Sequence, residues 1–157
     1  MIRVYKGMLR DMPHVTNLDV QTQEFALDAE AVKQWFIQIG KAVYLAQLGK
    51  REVGFALMTY DKEKGTAFID RVGTHPSFRQ AGVGRRLVER VVLEATTESA
   101  KKVQMIVPNY AIDDKEDPWN IEQWLWKLGF KAVGVLTDHF HRYGRDYDGY
   151  VFERMKT

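Results

Sequence analysis

Between Val72 and Leu87 the chain reads V-G-T-H-P-S-F-R-Q-A-G-V-G-R-R-L, and this stretch decides the fold. An apolar strand end at Val72 to Thr74 runs into a Pro-marked turn at His75-Pro76. A loop carrying Gly82 and Gly84 then opens a helix. Val83, Leu87, Val91 and Ala95, with Val88 and Val92 beside them, fall on one face of about four helical turns. Main-chain N–H groups at a helix start, together with the helix dipole, make an anion site. Glycines there let a phosphate come close to the backbone. Arg79, Arg85 and Arg86 add positive charge around it. The loop is not a Walker A, because no Gly-Lys-Ser/Thr follows. It is not the dinucleotide fingerprint either, since Gly82-Val83-Gly84 is followed by Arg85-Arg86-Leu87 rather than a third glycine. Local chemistry leaves a second reading open, in which Gly82 and Gly84 serve only a tight turn and close helix packing.

Outward from this stretch the periodicity fills in the rest. Residues 2–6 read as a short strand. Asp11 and Pro13 open a helix with Val15, Leu18 and Thr22 on its inner face. Asp28 caps a second helix in which Val32, Trp35, Phe36 and Ile39 follow the i, i+3, i+4, i+7 rule, and Gly40 stops it. Val43–Leu48, Val53–Tyr60 and Thr66–Thr74 are strands joined by turns at Gly49-Lys50 and 61–65, which predicts an antiparallel meander. After the long helix, Val103–Val107 is a short apolar strand. An acidic loop follows at 113–117, then a helix from Ile121 to Leu128 stopped by Gly129. Trp124, Leu125 and Leu128 read as core on that helix. Strands at Ala132–Thr137 and Tyr150–Met155, joined by a polar, aromatic loop, close the chain. The expected class is α/β (α+β): a mixed, largely antiparallel sheet of six to seven strands with helices on both faces.

Composition bounds the function. The chain has 157 residues, 45% of them hydrophobic, which suits one domain over residues 1–157. No apolar run approaches the ~20 residues needed to span a bilayer, and the first residues lack a signal-peptide apolar region. The expectation is a cytoplasmic protein acting away from membranes. Cysteine is absent, which excludes disulfides, thiolate zinc sites and a cysteine nucleophile. A net charge of +2 gives no argument for nucleic acid as a partner. Monomer and homodimer both stay open.

Two segments carry a resemblance. Arg79-Gln80-Ala81-Gly82-Val83-Gly84 resembles the R/Q-x-x-G-x-G/A signature of the GNAT family of N-acetyltransferases. Val72-Gly73-Thr74-His75-Pro76 stands where that family has an apolar strand end followed by x-Pro. Lys127-Leu128-Gly129-Phe130 resembles the family's later K-x-G-F signature, and the element order is also the family's. The resemblance therefore covers essentially the whole chain.

It implies an acetyl-CoA-dependent transfer of an acetyl group to a primary amine, with acetyl-CoA as co-substrate and no metal. The pyrophosphate would lie against Arg79, Gln80, Ala81, Gly82, Val83 and Gly84. The pantetheine arm would run along Val72, Gly73 and Thr74, and Asn109 completes the expected cofactor-binding set. The family's cleft exists because strands 66–74 and 103–107 splay apart, and Pro108 would help keep them from re-closing, since it lacks a ladder N–H.

Direct transfer needs a neutral amine, a donor for the developing oxyanion and a proton for the leaving thiolate. The backbone N–H near Thr74 is the oxyanion donor by family position. Asp70 is the first candidate base, expected by strand alternation to share a face with Val72 and Thr74; its other reading is a surface ion pair with Arg71 or a helix arginine. His75 has a suitable ordinary pKa, but in the family this position is commonly plain loop. The family's tyrosine acid cannot be carried over, because Leu125 stands four residues before Gly129. The usual Asn earlier in that helix is also displaced, with Pro118 at its place and Asn120 nearest. Tyr110 and, more remotely, Tyr143 are substitutes that also read as packing residues, and water is a third proton source.

The tail from Asp138 to Met155 resembles the last hairpin of ribosomal-protein alanine N-terminal acetyltransferases, which implies a protein or peptide amine as acceptor. An α-amine, with a pKa of about 8 against about 10.4 for lysine, needs only a weak base. The acidic loop leaves open a cationic small-molecule acceptor (polyamine, amino acid or aminoglycoside), or simply a solvated face. The missing tyrosine leaves open a non-catalytic acyl-CoA-binding module.

Overall fold

The computed structural model describes residues 1–23, 26–113, 120–142 and 144–155, apart from the side chains of residues 112 and 113. The elements are β1 (Ile2–Lys6), α1 (Met12–Thr22), α2 (Ala29–Ile37), β2 (Lys41–Leu48), β3 (Arg51–Asp61), β4 (Thr66–Thr74), α3 (Val83–Thr97), β5 (Lys102–Pro108), α4 (Asn109–Asp113), α5 (Ile121–Lys127), β6 (Lys131–Arg142) and β7 (Arg145–Met155). Short 3-10 turns at Leu9–Asp11 and Pro76–Phe78 lead into α1 and the glycine loop. The strands form one seven-stranded sheet in the order β1-β2-β3-β4-β5-β7-β6. Every neighbouring pair is antiparallel except β4 and β5. This is the mixed α/β sheet the sequence implied. Among the described residues no helix is long and apolar enough to cross a membrane.

Each face of the sheet buries its own core. On one face α3 presents Val83, Leu87, Val88, Val91 and Ala95, all 1% exposed or less, to Ala46, Ala56, Ala67 and Ile69. The alanines beneath the helix let it lie close to the strands. Leu125 and Leu128 of the α5 segment join the same core, as expected of them. On the other face Val15 and Leu18 of α1 and Val32 of α2 cover Val43, Leu45, Phe55 and Leu57. Asp28 caps α2 by accepting from the Ala31 N–H at 2.8 Å. Asp11 stands at the N-cap of α1, but its carboxylate accepts backwards, from the Met8 N–H.

Three expectations change. Helix α2 ends at Ile37, so Ile39 lies outside it and is 99% exposed rather than on the inner face. The reason is that Gln38 already turns extended and Gly40 takes φ +83°. The final hairpin is longer than its apolar segments: β6 and β7 run on through 138–142 and 145–149. Alternating His, Phe and Tyr side chains sustain the strands there. The third change concerns Asp70. β3 and β4 slip register between Leu57, opposite Arg71, and Met58, opposite Ile69, so that Asp70 has no partner. A bulge of this kind puts two successive residues on one side. Asp70 and Arg71 both face α1 and α2, while Ile69 and Val72 pack with α3. Simple alternation fails at that point, and Asp70 does not share a face with Val72 and Thr74.

Candidate active site

The site begins where two strands part. β4 and β5 pair only over Thr66–Phe68 and Lys102–Gln104. Beyond Phe68 the rest of β4, to Thr74, has no ladder with β5. β5 instead continues beside β7, ending at Pro108 opposite Gly149. A gap thus opens through the middle of the sheet, bounded by residues 69–74 and 105–108.

At the end of β4 the chain enters the glycine loop. His75 caps the 3-10 turn through Nδ1, which accepts from the Ser77 N–H at 3.2 Å. Its ring stands 5.6 Å from that of Phe78. That is the plain-loop role. Gly82 is the N-cap of α3 at φ +84°, in the left-handed region that favours glycine, and a Cβ there would meet nothing within 4 Å. The first α3 bond runs from Arg86 N–H to the Gly82 carbonyl, so the N–H groups of Val83, Gly84 and Arg85 have no intrahelical acceptor. They open onto free space beside Gly82, which fits a phosphate.

Gly84 has another reason for being glycine. A Cβ there would stand 3.2 Å from the Trp124 ring and 3.6 Å from Thr74 Oγ1. Trp124 therefore borders the loop and is more than a core residue. The same applies to Gly73, where a Cβ would run into Thr22 Oγ1 and come 2.9 Å from Gln23 Nε2. Gln23 also donates to the Val72 carbonyl at 3.2 Å. The end of α1 is thus seated directly on β4. Gly54, which the sequence reading passed over, lets Val83 and Leu87 press onto β3: a Cβ would lie 2.6 Å from Val83 Cγ1. Its signal was visible, since a lone glycine inside a strand marks close approach.

The arginines around the loop are already occupied. Arg85 pairs with Glu89 at 3.0 Å, and Arg86 donates to the Ile2 carbonyl at 3.2 Å. Arg79 turns back toward the Thr74 carbonyl, 3.4 Å away. What the loop can offer an anion is therefore mainly its backbone N–H groups.

Asp70 sits at the mouth of the gap on the α2 face. Thr59 Oγ1 donates to Asp70 Oδ2 at 2.7 Å, and Lys41 Nζ donates to Thr59 Oγ1 at 3.0 Å. The Lys41 ammonium lies 4.4 Å from the centre of the Trp35 ring. Asp70 is exposed as a residue, yet the protein packed around its carboxylate takes away enough water to raise its pKa. The Thr59 hydrogen bond, the Lys41 charge and the Trp35 indole oppose that rise without cancelling it. The indole Nε1 is buried and among the described residues makes no hydrogen bond of good geometry, so its help is the weakest of the three. Arg71, the partner considered for Asp70, instead meets Asp19 at 2.8 Å.

Across the gap, Asn109 and Tyr110 begin α4 directly after β5. Among the described residues the Asn109 Oδ1 is buried with no hydrogen-bond partner. An orphaned polar atom beside the gap fits a ligand amide. Tyr110 packs edge-on against Tyr147, ring centres 5.0 Å apart, with the Arg142 guanidinium 4.6 Å from its ring centre. The final hairpin therefore forms a wall beside β5. Thr74, Gly84 and Trp124 meet at the α3 end of the gap, Asp70 stands on the opposite face, and Tyr110 joins the hairpin. Tyr143 and residues 114–118 of the acidic segment lie outside the described residues.

The sequence model described as the acetyltransferase (GNAT) family matches residues 8–114. No curated protein matches the chain significantly by sequence. Among solved structures the fold is similar to the ribosomal-protein-S18-alanine N-acetyltransferase of Escherichia coli, with a TM-score of 0.81 at 13% identity over 99% of this chain and 94% of that one. It is also similar to Arabidopsis thaliana NAA60 in complex with acetyl-CoA, with 0.80 at 15% identity over 99% and 98%. The ribosomal-protein-alanine N-acetyltransferase of Brucella melitensis gives 0.78 at 17% identity over 98% and 99%.

Proposed function

Because the chain belongs to the GNAT family of acetyltransferases, we propose that it transfers an acetyl group from acetyl-CoA directly to an amine of a protein or peptide. The observation that carries this reading is the ladder between β4 and β5 stopping at Phe68, with the open N-terminus of α3 at the end of the gap. Acetyl-CoA supplies the activated acyl thioester. The backbone of Arg79 to Gly84 holds the diphosphate, with its donors at the start of α3. Val72, Gly73 and Thr74 offer main chain to the amide-bearing arm, and the orphaned Asn109 Oδ1 accepts from an amide N–H.

Asp70 takes the proton from the acceptor amine. Its place on the α1/α2 face suits this, because the phosphate loop belongs to α3 on the other face. Donor and acceptor then approach through the gap from opposite sides. Burial makes Asp70 a stronger base than an ordinary carboxylate. The N–H near Thr74 donates to the carbonyl oxygen as negative charge builds there. The N–C bond forms, the C–S bond breaks, and the thiolate gains a proton from Tyr110 or from water.

A peptide acceptor is supported by the aromatic wall of Tyr110 and Tyr147 beside the gap. It is supported also by the likeness to structures named as acting on ribosomal-protein alanine. An α-amine, already partly neutral near pH 8, asks little of the base. The test is mass-spectrometric placement of the acetyl group on peptides with free and with blocked α-amines. Modification of the free α-amine supports the reading, and modification of lysine alone removes it.

A further inference from the structure

Three neighbouring strands each place one polar side chain in a row on the α2 face of the sheet. β2 supplies Lys41, which stands opposite Thr59 of β3 in the ladder. β4 supplies Asp70, which the bulge turns to the same face. Two hydrogen bonds join the row, Lys41 Nζ to Thr59 Oγ1 at 3.0 Å and Thr59 Oγ1 to Asp70 Oδ2 at 2.7 Å. The backbone fixes where the row starts. Gly40, at φ +83°, leads into β2, and its carbonyl accepts from the Tyr60 N–H at 2.6 Å. Lys41 is thereby pinned as the first residue of β2, beside Thr59.

The direction of the row follows from its donors. An ammonium donates and cannot accept, and a hydroxyl has one proton to give. Thr59 Oγ1 therefore accepts from Lys41, and its own proton goes to Asp70. α2 holds the far end of the row. The Lys41 ammonium lies 4.4 Å from the centre of the Trp35 ring, a cation–π arrangement that steadies a long side chain. Arg71, the neighbouring cation on this face, meets Asp19 of α1. Among the described residues Lys41 is the charged side chain that bears on Asp70, and it favours the ionised carboxylate against burial.

We propose that Lys41 is a positioning residue for the base: through Thr59 it holds a proton toward Asp70 Oδ2 and so keeps the carboxylate in its proton-accepting form. This rests on the reading of Asp70 as the base and deepens it. Once Asp70 has taken the proton of the acceptor amine, the Lys41 charge has lost its counter-charge. It then favours return of that proton to water, which readies the carboxylate for the next turnover. A lysine that served only to pack on Trp35 would do so equally well without its charge.

The test is the titration of the Asp70 carboxyl carbon by NMR in the full chain, its signal identified by its loss in Asp70→Asn. It is read beside the acid limb of kcat/KM for acetyl-CoA and a peptide with a free α-amine. Lys41→Met keeps an apolar stem on Trp35 and removes the charge. It should move both midpoints to higher pH and lower kcat/KM several-fold on the acid limb. Lys41→Arg keeps charge and donor and should titrate close to the parent. In a Thr59→Val background, Lys41→Met should move the Asp70 midpoint clearly less, because the hydroxyl that links the two is gone. A midpoint that Lys41→Met leaves in place overturns the proposal, and so does an equal shift in both backgrounds. A carbon that shifts as expected while the acid limb of kcat/KM stays in place supports the Lys41–Thr59–Asp70 row and removes Asp70 as the base.

Discussion

Thr59 donates a 2.7 Å hydrogen bond to Asp70 across the β3–β4 bulge, although the ladder pairs Thr59 with Phe68. The bond favours the ionised carboxylate against the burial that raises its pKa. The base works only when ionised, so the rate should fall on the acid side as Asp70 gains its proton. Thr59→Val removes a stabiliser of the charged form, and the acid limb of kcat/KM should move to higher pH. Asp70→Asn should abolish that limb and slow turnover by about 10²- to 10⁴-fold. The pH–rate profiles of the three proteins check this, and an acid limb that stays in place in Asp70→Asn would remove Asp70 as the base.

Gly82 is the position at which charge can be separated from shape. Asn and Asp both tolerate the left-handed conformation that Gly82 adopts at φ +84°. Gly82→Asn should therefore bind CoA nearly as well as the parent. Gly82→Asp sets a carboxylate beside the diphosphate and should weaken binding by roughly tenfold more, about 1.4 kcal/mol. Calorimetry with CoA measures both, and equal affinities would place the diphosphate elsewhere.

Asp19 and Arg71 tie α1 to β4. Asp19 is 1% exposed, accepts from Arg71 at 2.8 Å, and also accepts from the Leu27 N–H at 2.7 Å. Asp19→Asn keeps the shape but removes the counter-charge. Stability should fall by about 3 kcal/mol, as for other half-removed buried pairs. Urea unfolding at neutral pH reads this directly.

Gly54→Ala should cost about 2 kcal/mol, because its Cβ would meet Val83 and the Gly73 carbonyl, neither of which is a flexible chain end. Displacing Val83 moves the first turn of α3. CoA affinity should therefore drop along with the melting temperature, whereas Asp19→Asn should lower stability with less effect on CoA.

Much of this was legible in the residues. Val83, Leu87, Val91 and Ala95 mark α3 by period, and Gly82 marks its start. The meander from Lys41 to Thr74 follows from short turns between apolar runs. The face of Asp70 was not legible, because a bulge changes no residue type: it appears only when two strands are laid in register. The sequence points Gly73 and Gly84 toward a ligand, and the structure adds a second reason for each glycine, because Thr22, Gln23 and Trp124 stand where a side chain would go. Such contacts join segments far apart in sequence, where spacing carries no signal. The Asn109 amide belongs to the same class, since its interest lies in an absent partner.

The central claim is acceptor-dependent acetyl transfer at the gap between β4 and β5. Its most direct test is the rate of thiol release from acetyl-CoA, with and without peptides carrying a free α-amine. Release that rises and saturates with peptide, and is lost in Asp70→Asn, is the predicted result. CoA binding with no peptide-dependent release from any acceptor would contradict it.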